Sequence, residues 1–196
     1  MFDAAPERSE RLYDADAASV RIDPMQRGPC AVFVRPDDAR KILLVGAERR
    51  DEFAHALKLM SLGHHVIATN PRETTAAKAF RRAGGRFVRA RIEELLSDSS
   101  RFHLIFENYP YPSGKNYVPA KPFAFARLAR LAPGGHWTLY TESGRLASLL
   151  KGVVDQDSRL TRRFEAKLTR IPFEAAPPSD YPPTDVRFRL IFRRLF

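Results

Sequence analysis

From Lys41 onward the chain alternates short apolar runs with amphipathic stretches. "KILLVG" is a continuous apolar run closed by glycine, the pattern of a strand buried on both faces. "DEFAHALKLMSLG" follows, with Phe53, Ala56, Leu57 and Met60 at helical spacing and Gly63 as the stop. "HHVIATN" predicts a second strand. "PRETTAAKAFRRAGG" predicts a second helix, with Pro71 near its start and Gly84 just past its end. "RFVRARIEEL" reads as a third strand running into a turn, and "FHLIFENYP" as a fourth. "KPFAFARLARLAPGG" predicts a helix stopped by Pro133, Gly134 and Gly135; "HWTLYTE" is then a fifth strand and "SGRLASLLKGVV" a helix. Two strand-like runs, "FEAKLTRIPF" and "DVRFRLIFRRLF", close the chain around a proline-rich loop.

Strands that alternate with helices require right-handed crossovers and a parallel sheet covered on both faces. The expected fold class is therefore α/β: a three-layer sandwich whose mostly parallel seven-stranded sheet ends in an antiparallel C-terminal strand pair. Residues 1–40 show no sustained period. "DPMQRGP" and "RPDD" are turn chemistry, and "CAVFV" between them reads as a short strand. The expected organisation is an N-terminal extension, 1–40, and one domain, 41–196.

Composition narrows the class. A chain of 196 residues suits one domain with a sizeable core, and the 44% hydrophobic fraction is ordinary for a globular protein. Cys30 is the only cysteine, which excludes an internal disulfide and a cysteine zinc cluster. His55, His103 and His136 lack metal-ligand spacing on one element, so no metal is expected. No apolar run approaches the roughly 18 residues of a membrane span, and the charged start lacks the apolar core of a secretory signal. A cytoplasmic location is the expectation. The net charge of +10 is uneven: residues 1–100 hold 17 Lys+Arg against 15 Asp+Glu, and residues 101–196 hold 16 against 8. A basic C-terminal half makes RNA the expected partner, with an arginine-rich surface of no particular target as the bland alternative. In the tail, Arg187 and Arg189 alternate with Val186, Phe188 and Leu190, the pattern of an edge strand guarded by charge or of an RNA-contacting edge.

The element order is similar to that of class I S-adenosylmethionine-dependent methyltransferases, whose Rossmann-like sheet ends in such an antiparallel pair. "LARLAPGGHWTLYTE" resembles the family's segment before and along its fifth strand. "FHLIFENYPYP" sits where the family's fourth strand carries its catalytic motif. Asn108, Tyr109, Pro110 and Tyr111 resemble the Asn-aromatic-Pro-aromatic order of the 25S ribosomal RNA uridine methyltransferase family. "ILLVGAERRDEF" and "VIATN" resemble that family's first and second strands. The resemblance covers about residues 41–142 and implies S-adenosylmethionine as cofactor, with methylation of a ring or exocyclic nitrogen of an RNA base. It makes Asn108 the group that receives the base hydrogen, Pro110 a brace for the backbone, and Tyr109 or Tyr111 the stacking ring.

The resemblance places the cofactor at the turn Gly46, Ala47 and Glu48, at Asn70 after the second strand, and at Arg91 and Glu93 after the third. Each position departs from the family pattern. Gly46 is the only glycine of its turn, Asn70 is an uncharged amide where a carboxylate meets the ribose, and Arg91 cannot accept a hydrogen bond. These departures favour a second reading, a degenerate methyltransferase fold that serves as a binding module, and the N-terminal extension suits a third, a toxin-type effector enzyme using another nucleotide-like ligand.

Overall fold

The computed structural model describes residues 21–22, 32–33, 40–97, 100–108, 119–172 and 186–196. Strands β1 (Arg21–Ile22) and β2 (Val32–Phe33) pair antiparallel as a small separate ladder. The main body runs β3 (Lys41–Val45), α1 (Arg50–Ser61), β4 (His65–Thr69), α2 (Thr75–Arg82), β5 (Arg86–Val88), a 3-10 turn over Ile92–Ser97, and β6 (Phe102–Asn108). It continues with α3 (Ala120–Leu128), β7 (Leu131–Thr141), α4 (Gly144–Asp155), α5 (Ser158–Thr161), β8 (Phe164–Pro172) and β9 (Val186–Arg194). One seven-stranded sheet has the order β5-β4-β3-β6-β7-β9-β8, parallel from β5 to β7, with β9 antiparallel to both β7 and β8. The expected α/β sandwich is the observed one. No helix among the described residues is long and apolar enough to cross a membrane.

The core lies on both faces of the sheet. Ile42, Leu44, Phe53, Phe80 and Phe106 fill one layer beneath α1 and α2. Leu43, Ile105, Trp137, Leu150 and Phe192 fill the other beneath α3 and α4. Successive residues of β3 thus enter opposite layers, as the two-residue period of a strand requires. That double burial is why "KILLV" is apolar throughout.

Two expectations change. The helix of "KPFAFARLARLAPGG" ends at Leu128, and Pro133 to Gly135 lie within β7. There the register against β6 jumps from Phe102↔Leu131 to Leu104↔His136, so a bulge takes up the extra residues. Gly134 has φ +71°, and a Cβ on Gly135 would lie 2.8 Å from the carbonyls of Ala132 and Phe102. The Pro-Gly-Gly turn therefore bulges a strand instead of stopping a helix. The second change concerns the tail. β9 is an interior strand, and β8 forms the edge. Arg187 and Arg189 are 0% and 5% exposed, so they neither guard an edge nor reach RNA. Arg187 meets Glu142 at 3.2 Å instead.

Candidate functional site

Strand order reverses between β3 and β6, which opens a crevice beyond their carboxyl ends. The turn after β3 is drawn tight to β4: the Gly46 and Ala47 amides both donate to the Thr69 carbonyl, at 2.7 and 3.2 Å. Gly46 has φ +73°, a conformation glycine adopts without strain, and among the described residues a Cβ there would meet nothing within 4 Å. Its backbone faces open space. Ala47 is buried in the core and Glu48 is exposed.

Asn70 follows β4 and is 3% exposed. Its amide nitrogen donates to the Glu48 carboxylate at 3.0 Å and to the Ala47 carbonyl at 3.4 Å, and its oxygen accepts from the Arg72 amide at 2.8 Å. Asn70 thus joins the two turns, and the group it presents at the end of β4 is the Glu48 carboxylate. Arg91 and Glu93 flank the start of the 3-10 turn. The Arg91 amide donates to Glu94 at 2.9 Å, while Glu93 accepts from the Arg127 guanidinium.

Arg127 on α3 went unnoticed in the sequence, where it reads as one more surface arginine. Its Nε and Nη2 clasp Glu107 of β6 at 2.9 and 2.7 Å, and Nη1 donates to Glu93 and to the Phe123 carbonyl. The guanidinium lies 3.5 Å from the Phe123 ring centre. Burial works to lower its pKa, but Glu107 and then Glu93 outweigh it and hold the group above its ordinary value. Three elements, the 3-10 turn, β6 and α3, are thereby fixed around one wall of the crevice. The signal in the sequence was Glu107, a carboxylate inside an otherwise apolar strand.

Asn108 ends β6. Its amide nitrogen donates to Glu52 Oε1 at 2.9 Å. Glu52 stands in the first turn of α1, where its other oxygen accepts the Glu48 and Arg49 amides at 2.9 and 3.0 Å. A carboxylate can only accept, so the NH2 of Asn108 faces it and the orientation of the amide is assigned. Asn108 Oδ1 is buried without a hydrogen-bond partner among the described residues. Tyr109, Pro110 and Tyr111 lie outside the described residues. Glu142 and Ser143 follow β7; Ser143 caps α4 by accepting the Leu146 amide at 3.1 Å. Among the described residues no group of three His, Cys, Asp or Glu is placed to hold a metal ion.

No protein-family model matches the chain, and neither does any curated protein. Solved structures do. N-methyltransferase NodS from Bradyrhizobium japonicum is similar over 98% of this chain and 99% of its own, with a TM-score of 0.54 and 15% identity. A variant of the 16S rRNA (adenine(1408)-N(1))-methyltransferase from Catenulisporales acidiphilia matches over 86% of this chain and 95% of its own (TM-score 0.55, 15% identity). This chain has the class I methyltransferase fold. A TehB-like S-adenosylmethionine-dependent methyltransferase from Corynebacterium glutamicum matches over 80% of both chains (TM-score 0.53, 15% identity). At these identities the likeness speaks for the fold.

Methyltransferases of this fold hold S-adenosylmethionine, which needs open backbone at the first turn and a carboxylate for its ribose hydroxyls. The residues present fit the group at those two points: Gly46 faces open space, and the Glu48 carboxylate stands where Asn70 holds it. On the adenine side Arg91 has no acceptor to offer, and Glu93 is already paired to Arg127.

Proposed function

We propose that the protein is an S-adenosylmethionine-dependent methyltransferase acting on a nitrogen of an RNA base. The observation that carries this reading is the buried, unpartnered Oδ1 of Asn108 at the carboxyl end of β6. A buried acceptor without a partner is destabilising by roughly 1–3 kcal/mol. A base N–H would satisfy it. Glu52 holds the amide so that the oxygen, and not the nitrogen, is offered. Asn108 then orients the nitrogen, and Tyr109 and Tyr111, next in sequence, supply rings to stack on the base. The Asn-aromatic-Pro-aromatic order favours a uracil ring nitrogen within this class.

Gly46, Ala47 and Glu48 would hold the cofactor, with Glu48 accepting from its ribose. When bound, S-adenosylmethionine supplies an electrophilic methyl. Asn108 would hold the base nitrogen in line with that methyl, and the nitrogen's proton would pass to water. Positioning supplies most of the effect in such a transfer.

The test is calorimetric titration with S-adenosylmethionine and its demethylated product, beside methyl incorporation into bulk RNA. Weak saturable binding is expected, lost in Gly46→Val, which is strained at φ +73° and costs some stability, while circular dichroism is little changed. Asn108→Ala should lose methyl incorporation and keep cofactor binding. Binding that survives Gly46→Val overturns the placement of the cofactor. Absence of any binding favours a second reading, a non-catalytic nucleic-acid-binding module, which the missing acceptor at Arg91 supports.

A further inference from the structure

Sixteen basic residues lie in the C-terminal half of the chain, and the fold sorts them. Arg127, Arg130, Arg187 and Arg189 are buried. Among the described remainder, Lys121 and Arg145 open α3 and α4 at the crevice end, Lys167 and Arg170 lie on the edge strand β8, and Arg101, Arg163, Arg193 and Arg194 stand at the amino-terminal ends of the parallel strands. Three guanidiniums meet at that lower rim. Arg101 precedes β6, Arg163 precedes β8, and Arg194 ends the antiparallel β9. The backbone brings them together: Arg194 Nη1 donates to the Leu131 carbonyl at 2.6 Å, Leu131 pairs with Phe102, and the Leu195 amide donates to the Arg163 carbonyl at 2.9 Å. Burial first, and then the charges of Arg163 and Arg101, pull the Arg194 guanidinium below its ordinary value.

Two further features give the rim a direction and a second kind of contact. Lys167 and Arg170 are exposed on β8, which runs parallel to β7 and so leads from the rim toward the crevice end of the sheet. From Arg163 to Arg170 the strand spans about 23 Å at roughly 3.3 Å per residue. Among the described residues no carboxylate pairs with Arg163, Lys167 or Arg170; Glu165, on the same strand, stands across from Arg193. At the rim itself Phe196 is 66% exposed, with its carbonyl held by Arg194 Nε at 2.8 Å. By the two-residue period Lys167 and Arg170 point to opposite faces of β8, so the cations line the two sides of an open sheet edge beside an exposed ring, and cations beside a ring bind single strands by phosphate contact and base stacking.

We propose that Arg101, Arg163, Lys167, Arg170, Arg194 and Phe196 form a binding surface for single-stranded nucleic acid, lying outside the crevice. The proposal rests on the RNA-directed reading above for its biological sense and names the surface that would carry the strand.

The experiment is fluorescence anisotropy of a labelled oligouridylate, without cofactor, over about 50 to 200 mM salt, where counterion release dominates. The variant Arg163→Gln/Lys167→Gln/Arg170→Gln should lower the magnitude of the slope of log affinity against log salt by about two, at roughly 0.7 per phosphate contact. Phe196→Ala should weaken binding about five-fold or more with the slope unchanged, the loss of one stacked base. Arg194 is left intact because it braces Leu131. The matched control is Lys78→Gln/Arg82→Gln/Arg86→Gln at the opposite, β5 edge, which should bind as the parent does. Equal loss from both edges overturns the proposal, because net charge alone would then explain binding. So does parent-like binding by the β8 variant, or binding only to phosphatidylserine vesicles. A parent protein that binds oligouridylate but not S-adenosylmethionine would remove the methyltransferase reading and leave this surface standing.

Discussion

Arg127 and Glu107 show how much one buried pair commits. Both are 3% exposed, and each satisfies the other through two hydrogen bonds. Arg127→Leu leaves the Glu107 carboxylate buried and alone, so a loss of about 3–5 kcal/mol in urea unfolding is expected. Replacing both at once, Arg127→Leu with Glu107→Met, should cost less, because only Glu93, which is 26% exposed, is left without its guanidinium. His55 makes a different prediction. Burial, and secondarily Lys58, push its pKa down to about 3. Burial also lowers His136, with Arg193 adding to the shift. In the unfolded chain both take up a proton near pH 6.5 that the folded protein refuses. The contribution of His55 is therefore full above about pH 6.5 and declines as pH falls toward 3, and that of His136 declines in the same direction. Unfolding free energy should drop by at most about 1.4 kcal/mol per pH unit per histidine in that window, and His55→Leu should flatten the slope. A slope unchanged in His55→Leu would count against a buried neutral imidazole.

At the scale of elements, α1 begins on a carboxylate that does two things. Glu52 satisfies two of the amides that a helix start leaves open, and it orients Asn108. Glu52→Ala should cost about 1 kcal/mol of stability as a lost cap. It should also release the Asn108 amide, so that under the proposed methyltransferase activity methyl incorporation falls further than stability alone accounts for. Glu52→Gln keeps an acceptor and a side chain of the same shape, and should recover most of the stability. The bulge in β7 is equally exacting. Gly135→Ala places a Cβ 2.8 Å from two backbone carbonyls, neither of which can swing aside as a side chain would. A loss of about 1–3 kcal/mol by urea unfolding is expected, as for overpacked cores. Had the bulge been a plain loop, that substitution would be nearly neutral.

For the whole molecule, the last strand in sequence sits inside the sheet. β9 joins β7 to β8, and its Phe192 ring stacks on Trp137 at 4.6 Å. The sheet is therefore completed only when the end of the chain inserts between β7 and β8. Phe192→Ala should cost about 3–5 kcal/mol in urea unfolding, as core aromatic truncations do. The parallel strands, their helices and the closing antiparallel pair were legible in the chain, because each is written in a local period of two or 3.6 that survives without neighbours. Asn108 could be singled out too, since it ends an apolar run next to prolines. Which charges are inside could not be read. The alternation of Arg187 and Arg189 with apolar residues is the same for an edge strand and for an interior one. Only the pairing of β9 between β7 and β8 decided it. Nor could the partners of Glu48, Glu52 and Glu107 be foreseen. Asn70, Asn108 and Arg127 stand 22, 56 and 20 residues away from them, and side-chain hydrogen bonds over such separations exist only once the sheet has brought the strand ends together.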